Sequence, residues 1–184
     1  QMSRDELRRT FEVNLFGGLQ LTSLLVPRMR EQGGGRVINI SSLASRVPAP
    51  LAVAYAATKG ALESATACLR LELAPWNIDM CLVVPGFVKT PVFDKAKEWG
   101  EFLRNDPDNP YRKLMFDLEA FAYGQLENAI EPRAVGDVVV EAATAERPSA
   151  RYFVPFSARV QSGFMRSIPV ALRDRILARV YKMA

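Results

Sequence analysis

Two side chains that could move a proton lie one helical turn apart in this chain. Tyr55 and Lys59 are separated by four residues within the Ala-, Leu- and Glu-rich segment Val53 to Ala74, which ends at Pro75. This composition predicts a helix, so both side chains should leave one helical face, roughly 6 Å apart along the axis. A phenol ionises near pH ~10, and a neighbouring ammonium favours the phenolate. The pair could therefore act as a general acid and base on an alcohol or carbonyl oxygen.

A serine follows the strand that precedes this helix. The run Arg36-Val37-Ile38-Asn39-Ile40 comes after the helix-breaking stretch Gly33 to Gly35 and predicts a short buried strand, with Ser41 and Ser42 at its carboxyl end. Ligands bind at the carboxyl ends of the strands in open parallel sheets. Ser42 precedes Tyr55 by 13 residues, and Ser41 is the neighbouring alternative. Strand, loop and helix start can then bring the serine to the crevice that holds the tyrosine and lysine.

Alternating helices and strands form the predicted scaffold. Ser3 to Glu6 matches a capping box at the start of a long helix, which should run to about Met29 with Pro27 bending its last turns. The alternation with short connections indicates a parallel sheet with crossover helices, and therefore an α/β fold. The further predicted elements are a strand at Ile78 to Val84, a helix from Glu131 to about Glu146, a strand at Arg151 to Pro155 and a helix at Leu172 to Tyr181.

Three short motifs follow one another along the chain: Asn39-Ile40-Ser41-Ser42, then Tyr55-Ala56-Ala57-Thr58-Lys59, then Pro85-Gly86-Phe87-Val88-Lys89-Thr90. Their order and spacing resemble the short-chain dehydrogenase/reductase family, and the resemblance extends from Ser3 to about Pro155. It implies a partial Rossmann-like, doubly wound parallel sheet, of which only the later strands and helices are present. It also implies an NAD(P)-dependent oxidoreductase that interconverts a secondary alcohol and a carbonyl by hydride transfer.

The resemblance assigns a role to each candidate residue. Tyr55 would be the general acid/base on the substrate oxygen, Lys59 would promote its ionisation and bind the nicotinamide ribose, and Ser42 would orient the carbonyl. Asn14 would maintain a water-linked proton relay to the lysine, although an asparagine within a helix also serves to cap a local kink. The turn in the third motif would complete the nicotinamide site through Pro85, Gly86, the backbone of Val88 and the hydroxyl of Thr90.

The resemblance begins partway through the family's fold. The family's first strand, its glycine-rich TGxxxGxG turn, its NNAG stretch and the residue that selects between NAD and NADP have no counterparts here. Gly33 to Gly35 follows a helix and is no substitute. We therefore expect a fragment of a longer enzyme, or a truncated product, that uses NAD or NADP without a readable preference. By itself this chain should neither bind the cofactor tightly nor turn over substrate.

A second hypothesis is a non-catalytic member of the family that acts as an interaction or oligomerisation module. Small residues in the second long helix permit the close approach of a partner helix, as in the family's typical oligomer interface. We expect a homo-oligomer under both hypotheses. The small residues are Ala56, Ala57, Gly60, Ala61, Ser64 and Ala65.

Residues 87–128 are rich in aromatic side chains and show no regular pattern. Pro107 and Pro110 interrupt the segment, and we interpret it as an irregular substrate lid. Its aromatic density indicates a bulky apolar or lipid-like alcohol or ketone, but ordinary core packing would explain the same composition. The aromatic residues are Phe93, Trp99, Phe102, Tyr111, Phe116, Phe121 and Tyr123.

Basic residues concentrate at the end of the chain. Arg151 to Ala184 holds seven basic residues against Asp174 alone, a net charge of +6 within a total of +4. We therefore divide the chain into a catalytic portion, residues 1–155, and a basic amphipathic tail, residues 156–184. The apolar face of the tail would lie on anionic lipid as a peripheral membrane contact, or would dock on the protein's own core or a partner subunit. Its residues are Leu172, Ile176, Leu177, Val180 and Tyr181.

Composition argues against several other classes of protein. The 184 residues, 49% hydrophobic and 24% charged, suit one globular domain. There is no histidine, and Cys68 and Cys81 lack metal-ligand spacing, so we expect neither a metal site nor histidine catalysis. The absence of a basic stripe before the tail argues against nucleic acid as a partner. Without a leader pattern or a membrane-length apolar run, we expect a cytoplasmic protein.

Overall fold

The computed structural model describes residues 2–183, without the side chains of Trp99, Phe102 and Leu103. The strands are β1 (Gly35–Ile40), β2 (Ile78–Pro85) and β3 (Arg151–Val154). Short 3-10 turns at Leu43–Ser45 and Ala74–Trp76 precede and follow the helix α3. The α-helices are α1 (Arg4–Phe11), α2 (Gly17–Glu31), α3 (Val53–Leu73), α4 (Val92–Trp99), α5 (Glu101–Asn105), α6 (Arg112–Glu127), α7 (Pro132–Thr144), α8 (Phe156–Ser167) and α9 (Val170–Val180).

The predicted first helix is present, with one interruption in its hydrogen bonding. The capping box forms as expected, since Ser3 Oγ accepts from the Glu6 amide at 3.2 Å and Glu6 Oε2 accepts from the Ser3 amide at 2.6 Å. A π-helical turn, Glu12–Phe16, then joins α1 to α2. The sequence pattern did not predict this π-helical turn. The turn places Asn14 at a point where the helical hydrogen-bonding register changes.

The sheet is parallel and its strand order follows the chain. β1 pairs with β2, and β2 pairs with β3, so the carboxyl ends of all three strands meet at one edge. Every residue of β2 except Asp79 is buried, as expected for a central strand covered on both faces. Within residues 2–183 β1 pairs only with β2, and its other edge is open.

Helices cover both faces of this sheet. Val37 of β1 packs with α2 and α3 in a buried cluster that includes Val26 and Leu73. Neighbouring side chains in a strand point to opposite faces. Arg36 accordingly reaches the other face, where its guanidinium donates to the carboxyl-terminal carbonyls of α7. The three acceptors, at 2.8 to 2.9 Å, are the carbonyls of Ala142, Ala143 and Ala145.

The tail is part of the folded body. Leu177 of α9 and Tyr181, which directly follows α9, are buried in a cluster with Leu43 and Val47, which belong to the loop that follows β1. α8 adds Ala158 and Met165 to the same cluster. Of the alternatives for the apolar face of the tail, the structure favours docking on the protein's own core.

Two features of the tail differ from the sequence prediction. α8 lies where no helix was predicted, and α9 begins at Val170 rather than Leu172. α8 contains Gly163 and several serines, which are weak helix formers. Its burial in the cluster described above compensates for this weak propensity, because Ala158, Ser162 and Met165 lie on one buried helical face.

The segment predicted to be an irregular lid is largely helical. It contains α4, α5 and α6, and the two prolines separate α5 from α6. In α6, Met115, Leu118 and Phe121 recur at three-residue spacing and face the interior, a helical pattern that the general aromatic content concealed. Among the described aromatic side chains, Phe121 contacts Phe87 and Tyr181 at ring-centroid distances of 6.2 and 5.3 Å.

Across residues 2–183, no helix combines the length and the apolar composition that crossing a membrane requires.

Candidate active site

Tyr55 and Lys59 project from the first turns of α3 beside the carboxyl end of β1. The Lys59 ammonium lies 5.9 Å from the centroid of the Tyr55 ring and donates a 2.9 Å hydrogen bond to the carbonyl of Ile40. Since Ile40 is the last residue of β1, this bond fixes the lysine between the helix and the strand end. Tyr55 is 40% exposed, and its hydroxyl forms no hydrogen bond within residues 2–183. The predicted pairing of the two side chains is therefore present in the structure.

Partial burial affects the charge of Lys59. Desolvation lowers the pKa of its ammonium below the ordinary value of 10.5, because burial disfavours the charged form. The hydrogen bond to the strand end leaves the ammonium within reach of the tyrosine ring. A cation held there favours negative charge that develops on a neighbouring oxygen.

Ser42 begins the loop after β1 and caps the short 3-10 turn at Leu43–Ser45. Its Oγ accepts from the Ala44 amide at 3.2 Å, and its hydroxyl hydrogen is donated to no group within residues 2–183. Ser41, by contrast, is buried and its hydroxyl is engaged by Glu63 at 3.1 Å. Of the two serines, Ser42 has the hydroxyl that can donate to a ligand.

Asn14 reaches α3 rather than Lys59 itself. From the π-helical turn its Nδ2 donates to Thr58 Oγ1 at 3.3 Å, and Thr58 donates in turn to the carbonyl of Tyr55 at 2.8 Å. Thr58 is fully buried. The contact thus joins the first helix to the turn of α3 that carries the candidate catalytic pair.

The Pro-Gly motif ends β2 at the same edge of the sheet. Pro85 is the last residue of β2, and the amide of Gly86 donates to the carbonyl of Val154 at 2.8 Å. Val88 forms a parallel bridge with Ile130, in which the hydrogen bonds use the flanking residues. The amide and carbonyl of Val88 therefore point away from the bridge, and neither has a backbone partner within the described part of the chain. Thr90 is half-buried, and its hydroxyl has no hydrogen-bond partner there either.

The sequence model of the family described as short chain dehydrogenase matches residues 1–101, more than half of this chain. The chain belongs to the short-chain dehydrogenase family. The Rossmann-like α/β fold predicted from the three motifs is confirmed by solved structures of the same family. A short-chain dehydrogenase from Streptomyces avermitilis aligns with a TM-score of 0.67 and 24% identity, over 97% of this chain and 63% of its own.

Two further relatives of this short-chain dehydrogenase are informative. The NADPH-dependent 3-dehydrocapnine reductase of Ornithobacterium rhinotracheale is 33% identical, over 94% of this chain and 61% of the reductase. The solved structure of a 3-oxoacyl-[acyl-carrier protein] reductase from Brucella melitensis, with bound NAD, aligns with a TM-score of 0.61 and 27% identity, over 84% of this chain and 52% of its own. The chain spans between 50% and 62% of the length of the first curated relatives that it matches.

The described residues of this short-chain dehydrogenase fit the nicotinamide end of a dinucleotide. Val88 offers an unpaired amide and carbonyl, Thr90 a free hydroxyl, and Lys59 an ammonium at the same sheet edge. Gly33 to Gly35, in contrast, lies at the amino end of β1, away from this edge. A Cβ at Gly34 would approach the Asn77 carbonyl to 2.8 Å, so this glycine turn serves close packing within the protein and is no phosphate site.

A buried ion pair beside the site was missed from the sequence. Glu63 and Arg46 form a salt bridge in which both side chains are at least nine-tenths buried. The available signal was spacing, because Glu63 follows Lys59 by four residues and Tyr55 by eight on the same side of α3. Arg46 has no comparable signal, since it lies in an irregular loop.

Proposed function

We propose that this chain is the catalytic portion of an NAD(P)-dependent oxidoreductase that interconverts a secondary alcohol and a carbonyl. The supporting observation is the Tyr55 side chain, exposed beside an ammonium that is fixed to the carboxyl end of β1. A second hydroxyl with a free hydrogen, on Ser42, lies at the same sheet edge. A carbonyl oxygen that receives a hydrogen bond from each hydroxyl would be polarised and ready for protonation.

The proposed roles follow from the contacts of each side chain. In carbonyl reduction Tyr55 Oη gives its proton to the substrate oxygen, and in alcohol oxidation it takes that proton back. Ser42 donates a hydrogen bond that orients the substrate oxygen. Lys59 stabilises the charge left on the tyrosine oxygen, and Asn14 supports α3 through Thr58. When bound, the dinucleotide supplies or accepts the hydride at its nicotinamide ring.

The nicotinamide would be held by groups at the carboxyl ends of the first two strands. We assign this role to Tyr55 and Lys59 on α3, and to the turn after β2 through Pro85, Gly86, Val88 and Thr90. The 3-dehydrocapnine reductase is named for its dependence on NADPH, whereas the 3-oxoacyl-[acyl-carrier protein] reductase was solved with bound NAD. The proposal therefore includes both cofactors without a preference.

The helical lid supports an apolar or lipid-like substrate. Phe87 of the turn stacks on Phe93 of α4 at 5.7 Å and meets the edge of Phe121 of α6 at 6.2 Å. Phe87 therefore has one aromatic neighbour on α4 and another on α6. We further propose that the protein works as a homo-oligomer. The alternative, a non-catalytic interaction module, predicts no saturable binding of either dinucleotide.

The deciding experiment compares Tyr55→Phe with Tyr152→Phe, a control on β3 whose hydroxyl accepts from the Ser149 amide outside the candidate site. Both variants are made in a chain extended by the family's amino-terminal cofactor-binding half. Reduction of a panel of apolar ketones is followed with NADH and NADPH. Tyr55→Phe should lower turnover by about 100-fold or more, because only the proton donor is lost, while the control stays within about twofold of the parent. Near-parent turnover of Tyr55→Phe would refute the assignment, and absence of saturable cofactor binding by the extended parent would favour the alternative.

A further inference from the structure

The Glu63 carboxylate accepts hydrogen bonds from three residues of the loop that carries Ser42. Its Oε1 lies 3.1 Å from Ser41 Oγ, 2.6 Å from Ser45 Oγ and 3.1 Å from Arg46 Nε. Its Oε2 accepts from Arg46 Nη2. The carboxylate therefore contacts residues on both sides of Ser42, while the hydroxyl hydrogen of Ser42 remains available to a ligand.

The charge on Glu63 is maintained although the group is buried. Burial acts to raise the pKa of Glu63, but the hydrogen bonds from Arg46 and Ser45, with the arginine charge, outweigh it, so the pKa lies below its ordinary value. Arg151 of β3 adds a second cation, with Nε 3.6 Å from Oε2. The Arg46 guanidinium also lies 5.7 Å from the ring centroid of Phe153 on β3. The carboxylate is thus held by the loop and by β3 together.

The same contacts fix the loop relative to the candidate catalytic pair. Glu63 shares one rigid helix with Tyr55 and Lys59. On the loop side, the Ser45 amide donates to the Ser42 carbonyl at 3.1 Å, so a residue anchored by Glu63 is bonded directly to Ser42. The distance between the Ser42 and Tyr55 hydroxyls therefore depends on the bond between Glu63 and the loop.

We propose that Glu63 is a positioning residue, which holds the Ser42 loop at a fixed distance from the Tyr55 hydroxyl through Arg46, Ser41 and Ser45. This inference rests on the proposed function. A contribution to stability does not by itself explain the buried pair of Glu63 and Arg46, because apolar residues of similar volume often replace a buried ion pair without loss of stability. A fixed geometry of the active site explains it better, since misplacement of a catalytic group by about 1 Å can lower the rate about 100-fold.

The test compares Glu63→Gln with Asp79→Asn in the full chain. Gln keeps the size of the side chain and removes the charge that holds the arginine. Asp79→Asn removes a carboxylate of the same kind, paired with Arg36 at 2.9 Å, at the opposite end of the sheet. Amide hydrogen exchange is measured at Ser45, Arg46 and Val47, whose amides bond within the loop. Carbonyl reduction is measured in parallel.

We expect Glu63→Gln to speed exchange of the three loop amides by about tenfold and to leave the amides of β2 unchanged. The kcat should fall by about tenfold with the KM for the dinucleotide within about twofold of the parent, because only Ser42 is displaced. Asp79→Asn should change neither loop exchange nor kcat.

The proposal would be overturned if Glu63→Gln left amide exchange in the loop like that of the parent, or accelerated exchange equally throughout the protein. It would also be overturned if loop exchange became faster while kcat stayed unchanged. Turnover is measured in the chain extended by the family's amino-terminal cofactor-binding half. If that parent shows no turnover, the proposed function fails, and loop exchange alone then decides whether Glu63 fixes Ser42. Should Glu63→Gln fail to fold, Arg46→Lys provides the second variant. This variant keeps the positive charge but loses one of the two nitrogens that contact Glu63. It should therefore also speed exchange of the loop amides and lower kcat.

Discussion

The ammonium of Lys59 is unusual because the protein partly buries it against a backbone carbonyl instead of a carboxylate. The carboxylate one turn further along α3, Glu63, is already occupied by Arg46 and Arg151. This arrangement keeps the lysine charge available to the tyrosine and to a bound ligand. Burial of a cation without an ionic partner costs stability, and that cost depends on pH.

We therefore expect Lys59→Met to have a pH-dependent effect on stability. Because burial lowers the pKa of Lys59 below 10.5, the unfolded chain binds more protons than the folded one between the folded pKa and 10.5. The free energy of unfolding of the parent rises with pH across this window, and the variant lacks that rise. Urea titrations should show the stability difference, variant minus parent, falling as pH increases from neutral to 10.5. A difference that is constant or increases with pH would contradict the burial argument.

The contact between Asn14 and Thr58 permits a second test at the residue scale. Asn14→Ala should destabilise the protein by about 1 kcal/mol, because it removes a hydrogen bond to the oxygen of the fully buried Thr58 hydroxyl, which keeps only its bond to the Tyr55 carbonyl. A double-mutant cycle with Thr58→Val should give a coupling of about 0.5 to 1 kcal/mol in chemical denaturation. Additive effects of the two substitutions would show that the hydrogen bond contributes nothing in solution.

At the scale of elements, prediction from the sequence succeeded where local signals agree. The capping box at Ser3, the strand at β2 and the long helix α3 each combine composition, periodicity and a terminating residue, and all three were located closely. The π-helical turn at Asn14 has no sequence signal, because it depends on packing against α3. The helices within residues 87–128 were missed because Pro107 and Pro110 interrupt the segment and its scattered aromatics conceal the helical spacing. In α6 the packing of Leu118 and Phe121 on the shared core stabilises the helix.

The position of α9 gives a prediction at the same scale. Leu177 is 8% exposed in the core shared with the Ser42 loop, whereas Leu172 on the same helix is 47% exposed. Leu177→Ala should therefore cost about 2 to 4 kcal/mol in urea unfolding, because it leaves a cavity, and Leu172→Ala less than about 0.5 kcal/mol. Similar small effects for both would indicate that α9 is undocked in solution. Co-sedimentation with anionic vesicles would then test the lipid alternative for this helix.

At the scale of the whole molecule, the most prominent surface feature is an apolar one. On the face of the sheet covered by α2 and α3, α2 exposes three leucines and α3 exposes one, and β1 leaves one edge without a partner strand within residues 2–183. Exposed apolar side chains and an open strand edge favour association. The exposed leucines are Leu21, Leu24, Leu25 and Leu71.

We expect this chain to self-associate through that surface. Leu24 on α2 is 70% exposed, and Val140 on α7, across the sheet, is 61% exposed. Leu24→Glu should shift the sedimentation distribution toward the monomer, because a charge would be buried on association, whereas Val140→Glu should leave the distribution unchanged. Equal effects would place the interface elsewhere, and a monomeric parent at high concentration would exclude association through α2.

The aromatic contacts that run from Phe93 through Phe87 and Phe121 to Tyr181 have a thermodynamic consequence. They join the turn after β2 to the last turn of the chain, so the order of one depends on the order of the other. Such linkage is reciprocal. A molecule that binds against Phe87 and orders the turn must reduce the fraying of α9, and release of that helix must weaken the binding of the molecule by the same free energy. We therefore expect the turn after β2 and the last turn of α9 to gain or lose order together.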